Sequence, residues 1–190
     1  MEFHVYENAR AACEAAGVLI AAQITRKGDS VLGLATGSTP IPAYEMLVQW
    51  YDRGVIDFDR VRTFNLDEYV GIDHKNPLSY HAFMQEHLFS KVNLRKENVH
   101  LPSGNAAADV EAYDKAIHTA GGIDIQLLGI GNIMAAKCVM LVATGESKAK
   151  AVYDTIRGPI TPRVPASVLQ LHPCCVILTD REAGKLMLEE

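Results

Sequence analysis

Three short stretches of this chain combine residue types and spacings that suit chemistry on an anionic ligand. In "LGLATGSTP" (32–40) a strand enters a turn of small residues and a helix follows. Gly37 lets the backbone approach an anion closely, while Ser38 and Thr39, with Thr36 just before them, bring hydroxyls and amides to a helix N-terminus. No Gly-Lys-Ser/Thr follows and no GxGxxG is present, so taken alone this reads as an ordinary strand-to-helix turn. "VATGESKAK" (142–150) repeats the design with Gly145, Ser147 and then Lys148 in the first helical turn. A lysine there opposes the helix macrodipole, and an anionic ligand would relieve the cost. Two such turns in one sheet point to a phosphate site. The third stretch, "TFNLDEYVG" (63–71), sets Asp67 and Glu68 where an apolar strand ends. They are either a turn with solvated charge or a general base beside a neighbour that tunes it, and spacing alone leaves both open.

These residues need elements to position them. Apolar periodicity predicts a helix over 9–26, a strand over 30–37, and a helix over 41–54 with Pro42 in its first turn. A strand over 60–69, a helix over 79–92 opened by Ser79, and a short strand at "NVHL" come next. A helix at "AADVEAYDKAIHTA" ends at Gly121-Gly122, followed by strands over 123–131 and 136–145 and a helix from Glu146 to about Ile156. "ASVLQLH" reads as helical and "CCVILTD" as a strand. Strands that alternate with helices and are apolar on both faces imply an α/β fold: an open, mostly parallel sheet with helices on both faces, a Rossmann-like three-layer sandwich in a single domain over 1–190. In such sheets ligands bind outside the carboxyl ends of the strands, where these glycine turns fall.

The strands at 123–131 and 136–145 raise a difficulty. A parallel connection needs a dozen or more residues, usually with a helix, and Asn132 to Lys137 cannot supply them. A hairpin would put "GIG" and "ATGESK" at opposite edges of the sheet and pair two runs that lack alternation. The junction therefore reads as a missing crossover, with the domain interrupted at 132/133.

The bulk numbers narrow the function. The 190 residues suffice for one domain with a sizeable core, and 48% hydrophobic with 22% charged residues is ordinary globular composition. A net charge of -5 argues against a nucleic-acid or anionic-membrane binder, so neither is expected as a partner. The start "MEFHVYENAR" is acidic where a secretory signal is basic, and "AAGVLIAA" is far too short to span a membrane, so the cytoplasm is expected. Cys13, Cys138, Cys174 and Cys175 show no CxxC spacing and read as small buried thiols; the seven histidines form no HExxH pattern, so no metal is expected. The chain stops soon after its last strand, leaving no room for a long regulatory tail.

In this order, "LGLATGSTP", "TFNLDEYVG", "NPLSYHAFM", "IDIQLLGIG" and "PASVLQLHP" closely resemble the glucosamine-6-phosphate deaminase family (glucosamine/galactosamine-6-phosphate isomerases). The resemblance runs from the first of these strands to the last, and "NLDEYVG" and "SYH" are specific to it. It implies ring opening of an aldose phosphate, transfer of the C2 proton to C1 through an enol, and hydrolytic loss of ammonia to give fructose 6-phosphate. No metal or organic cofactor takes part. By position Asp67 corresponds to the family's base between C2 and C1. Thr36, Gly37, Ser38 and Thr39 correspond to part of its phosphate cradle, Lys148 to the cradle's lysine, and Gly131 to the glycine turn beneath the sugar. His81 and His172 lie in family-like blocks and receive no catalytic role. The related 6-phosphogluconolactonases share the glycine turns but not these blocks.

This chain departs from the family after "GIG". There the family continues Asp/Asn-Gly-His-Ile-Gly-Phe-Asn-Glu-Pro, whose histidine promotes ring opening, and an arginine further on completes the phosphate site. Here Asn132 is followed by "IMAAK", which resembles the family's sequence just before the next strand. The ring-opening apparatus is therefore absent and the enolisation base retained. Either the numbering closes over a mobile active-site segment or the deletion is real. The first fits better, because removing a crossover from the centre of a parallel sheet would cost many kcal/mol of a stability of only about 5–15 kcal/mol. A 6-phosphogluconolactonase-like enzyme or other sugar-phosphate isomerase, or a non-catalytic sugar-phosphate-binding protein, remains as the alternative. An oligomer is possible.

Overall fold

In the computed structural model, residues 1–103, 106–128 and 136–189 are described, with 106–110 described by their backbone alone. Seven strands form one sheet in the order β1-β7-β6-β5-β2-β3-β4, every adjacent pair parallel. They are β1 (Glu2–Tyr6), β2 (Val31–Leu34), β3 (Arg62–Asn65), β4 (Val99–His100), β5 (Ile125–Leu128), β6 (Val139–Ala143) and β7 (Cys175–Asp180). The helices are α1 (Ala9–Arg26), α2 (Ile41–Asp52), α3 (Tyr80–His87), α4 (Ala106–Thr119), α5 (Ala149–Ile156) and α6 (Arg181–Leu188). The helical reading of "ASVLQLH" becomes a 3-10 helix, Pro165–Leu171.

Strand residues alternate between two apolar layers, as the pleat requires. On one face Leu32, Leu34, Leu127, Met140 and Val142 pack with Ile20 of α1, Leu47 of α2 and Met84 of α3. On the other, Val31, Phe64, Leu128, Val139 and Leu141 pack with Tyr113 and Ile117 of α4, Leu169, and Ile156 of α5. Central strands β2, β5 and β6 are buried at every position, which is why they read as unbroken apolar runs.

Two elements carry no such signal. β1 is an edge strand with partly exposed residues, paired only to β7. α6 is eight residues long and opens at Asp180, whose carboxylate accepts from the Ala183 N–H. The sequence reading assigned neither.

The difficult junction is parallel. Gln126 lies opposite Val139 and Leu128 opposite Leu141, the Lys137 N–H donates to the Ile123 carbonyl at 2.9 Å, and the Gln126 N–H donates to the Cys138 carbonyl at 2.9 Å. After Leu128 the chain thus regains the start of the same strand by Lys137. Only 129–138 separate β5 from β6, fewer than the dozen or so that a crossover ordinarily takes. Steps from β1 to β2 to β3 to β4 run one way along the sheet and place α1, α2 and α3 on one face. The steps from β4 to β5 and from β6 to β7 run the other way and place α4 and α5 opposite. A right-handed β5–β6 crossover would lie between α4 and α5. The expected break at 132/133 lies outside the described residues.

Candidate active site

The direction of the strand order reverses between β2 and β5, so the carboxyl ends of these two strands flank a crevice at the topological switch point. The turn after β2 lines one side. Gly37 has φ +109°, a conformation that side chains other than glycine's rarely adopt. α2 starts from Pro40 with no side-chain cap, so the hydroxyls of Ser38 and Thr39 are not spent on capping, and among the described residues neither has a protein partner. Fully buried Tyr44 of α2 holds the turn from below, donating its hydroxyl to the Ala35 carbonyl at 2.5 Å. Beneath the turn lies a cavity of about 70 Å³ between Cys13, Ala16, Thr36, Thr39, Leu127 and Val142, too small for a hexose phosphate. A sugar would rest on the turn, outside this cavity.

Asp67 stands just past β3, the next strand along. Buried Asn65 ties the end of β3 to the end of β2, its amide donating to the Leu34 carbonyl at 3.2 Å. From the other face the Tyr113 hydroxyl donates to the Asn65 carbonyl at 2.5 Å. Asp67 is exposed, yet its carboxyl is raised above the ordinary range, by partial burial first and the charge of Glu68 second. Glu68 accepts the N–H groups of Tyr69 at 2.9 Å, Tyr80 at 3.0 Å and His81 at 3.0 Å. Burial works against its charge, but these three donors outweigh burial and leave its carboxyl below the ordinary range. The two adjacent acids therefore have different work. Glu68 fastens the first turn of α3, and Asp67 is left with its ionised form disfavoured.

Sequence reasoning missed Tyr69 and Tyr80. Their rings lie 4.7 Å apart, and the Tyr80 hydroxyl donates to that of Tyr69 at 3.3 Å, in the field of the Asp67 charge. The Tyr69 hydrogen bond, then burial and then Asp67, push the Tyr80 phenol up to about 12. Tyr80 thereby stands close enough to Asp67 for the two groups to influence each other. The block "SYH" held the signal, at the start of a helix aimed at the same edge.

Across β5, the second glycine turn follows β6. Gly145 has φ +86°, and its N–H donates to both carboxylate oxygens of Asp180, at 2.9 and 3.1 Å. Glu146 pairs with Lys185. Lys148 is exposed, and among the described residues its amine has no partner. Thr36 to Thr39, Asp67 and Lys148 thus share one edge of the sheet. Gly131 lies outside the described residues. His81 turns its ring to His74, 5.2 Å away, along a groove on the outer side of α3. Among the described residues no cluster of three or more metal-ligating side chains is present.

Comparison with known proteins decides the family. Residues 6–132 match the model of the glucosamine-6-phosphate isomerases/6-phosphogluconolactonase family. The chain belongs to this family. Glucosamine-6-phosphate deaminase of Clostridium botulinum (strain Alaska E43 / Type E3) is 40% identical over 242 aligned positions, covering 98% of this chain and 97% of that one. Its counterpart in Thermoanaerobacter pseudethanolicus is 39% identical, covering 92% and 90%. Among solved structures, a monomeric glucosamine-6-phosphate deaminase superposes with a TM-score of 0.91 at 30% identity, covering 98% of this chain and all of that one. The 6-phosphogluconolactonase of Leishmania guyanensis, at 18% identity and a TM-score of 0.77, shares the fold. The family match stops at residue 132, and 242 aligned positions exceed the 190 residues here, so more than fifty fall opposite gaps in this chain.

Proposed function

We propose that this chain acts on glucosamine 6-phosphate and converts it to fructose 6-phosphate and ammonia. The observation that carries the reading is the Asp67 carboxyl, raised above the ordinary range and set one strand from the glycine turn Thr36–Thr39 at the switch point of the sheet. The phosphate would rest on Thr36, Gly37, Ser38 and Thr39 with Lys148 opposite, and Gly131 under the sugar. Asp67 takes the C2 proton of the open-chain sugar and returns it to C1; water then replaces the nitrogen as ammonia leaves. The chemistry asks for no metal or organic cofactor. The relatives' names favour this over lactone hydrolysis. We place the protein in the cytoplasm; among the described residues no helix is long and apolar enough to cross a membrane.

The test supplies glucosamine 6-phosphate in deuterated water and follows both ammonia and deuterium at C2. Exchange at C2 with ammonia release supports the deaminase. Acid release from a phosphogluconolactone, without ammonia, would replace it.

One observation favours a second reading, sugar-phosphate binding without turnover. The family's histidine motif has no counterpart in this sequence, and the β5–β6 connection is short. Calorimetric binding with neither exchange nor ammonia would establish it, provided that the intact natural protein weighs the 20.8 kDa of these 190 residues. A mass several kilodaltons higher would mean that a catalytic segment belongs after Asn132.

A further inference from the structure

The amino-terminal edge of the sheet, opposite the candidate site, carries a pair of thiols that the proposed reaction does not use. Cys138 and Cys174 each immediately precede a matched pair, Val139 opposite Cys175, on adjacent parallel strands β6 and β7. Their sulfurs lie 2.7 Å apart, and both residues are free cysteines. Adjacent strands run about 4.8 Å apart, inside the 4.4–6.8 Å separation of Cα atoms that a disulfide spans.

The backbone fixes this approach. The Val139 N–H donates to the Cys174 carbonyl at 2.9 Å. The buried ring of His172 accepts the Cys174 N–H on Nδ1 at 3.1 Å and meets the Ala136 carbonyl through Nε2 at 2.9 Å. One ring thus ties the segment leading into β6 to the segment leading into β7, two residues before each thiol. Cys174 is exposed and Cys138 half-buried, whereas Cys13 and Cys175 are buried. Small-molecule oxidants can therefore reach one member of the pair, and that member has a resolving partner already in place.

We propose that Cys138 and Cys174 form an intramolecular disulfide by exchange with a small disulfide such as oxidised glutathione. The Cys174 thiolate attacks one sulfur of the oxidant, giving a mixed disulfide and one released thiolate. The Cys138 thiol then loses its proton and attacks the Cys174 sulfur, expelling the second thiolate. Two protein thiols are oxidised, one external disulfide is reduced to two thiols, and the two protons pass to the departing thiolates. Burial, and then the neighbouring Cys174 sulfur, push the Cys138 thiol up to about 12, so closure is the slow step and quickens as pH rises. The bond closes a loop that carries β6, the Gly145–Lys148 turn, α5 and the 3-10 helix Pro165–Leu171.

The experiment incubates the reduced full chain with oxidised glutathione at pH 8, counts thiols in denaturant and maps linked peptides by mass. Two of the four thiols should disappear with no glutathione retained, and Cys138 should map to Cys174. Cys138→Ser should stop at a single glutathione adduct on Cys174, and Cys174→Ser should keep its three thiols. Four surviving thiols in the wild type, a link to Cys175, or a link between two chains would overturn the proposal.

Discussion

The two edges of this one sheet are built in opposite ways. At the amino edge two buried side chains, Asp124 and His172, act as clamps. Asp124, 7% exposed, receives the Lys27 amine at 2.6 Å, the Lys137 amine at 2.7 Å and the Val31 N–H at 2.8 Å, joining the end of α1 to the starts of β2, β5 and β6. His172 does the same for β6 and β7 with a neutral ring's one donor and one acceptor. At the carboxyl edge, beside paired groups such as Glu68 and Asp180, some are left open among the described residues: the hydroxyls of Ser38 and Thr39, the Lys148 amine, and a carboxyl on Asp67 whose ionisation the fold resists. Satisfied groups hold a fold together; unsatisfied ones are available to a ligand. The contrast separates the part of the molecule that keeps its shape from the part that reacts.

Four changes test that contrast, the largest first. Asp67→Asn should lower turnover by about 10²–10⁴-fold while ligand binding persists, read as loss of C2 deuterium exchange. Because the fold raises the Asp67 pKa, its charge at neutral pH subtracts from stability, so the same variant should unfold at a slightly higher temperature. For the same reason wild-type activity should fall on the acid side at a pH above the ordinary carboxyl value. Wild-type exchange rates in Asp67→Asn would remove it as the base.

Asp124→Ala should cost about 2–3 kcal/mol in denaturant titration, since it removes two charge-assisted bonds and strands the Val31 N–H. Burial opposes the Asp124 charge, but Lys137, Lys27 and the Val31 N–H outweigh it and hold its pKa below the unfolded value. Its contribution is therefore complete above about pH 4, the ordinary carboxyl range, and is lost as pH falls through the depressed folded pKa. The variant should show a shallower acid decline than the wild type, and an unchanged slope would contradict the clamp.

Lys148→Ala should weaken sugar-phosphate binding by about 1.5–3 kcal/mol in calorimetry and leave stability nearly unchanged, because among the described residues no group depends on that amine. Unchanged affinity would take Lys148 out of the site. Ser79→Ala should cost about 1 kcal/mol of thermal stability, the worth of one cap, because its hydroxyl accepts the Ala82 N–H at 3.0 Å. Glu68 still holds the first turn of α3, so the substrate KM should move less than two-fold.

Most of the sheet was legible because buried parallel strands advertise themselves as apolar runs between glycine turns. Helix α1 matches its expected span to the residue, and Ser79 caps α3 as expected. The end of β3 was overestimated, the strand stopping at Asn65, since apolar residues persist into the turn that bears Asp67; the expected end of β5 lies outside the described residues. β1 stayed hidden because its partner β7 is distant in sequence and half its surface faces solvent. The pairing of Glu68 with α3, and the packing of Tyr80 against Tyr69, were illegible for another reason: both depend on how a loop folds back, which no local period encodes. The four thiols were read as buried. That holds for Cys13 and Cys175; Cys138 and Cys174 sit at strand starts, where the sheet opens to solvent.

β1 has a further meaning when the chain is considered as it is made. Its sole strand partner is β7, with Glu2 set opposite Val176. At ribosomal rates of about 5–20 residues per second, β1 waits roughly ten to thirty seconds for its neighbour to emerge. Through that interval the half-sheet β2-β3-β4 can already assemble from consecutive segments, while Phe3 and Val5 have no ladder to join. Pairing of β1 with β7 is thus a last, long-range closure, slow by its contact order and open to capture by another chain's strand edge until it occurs.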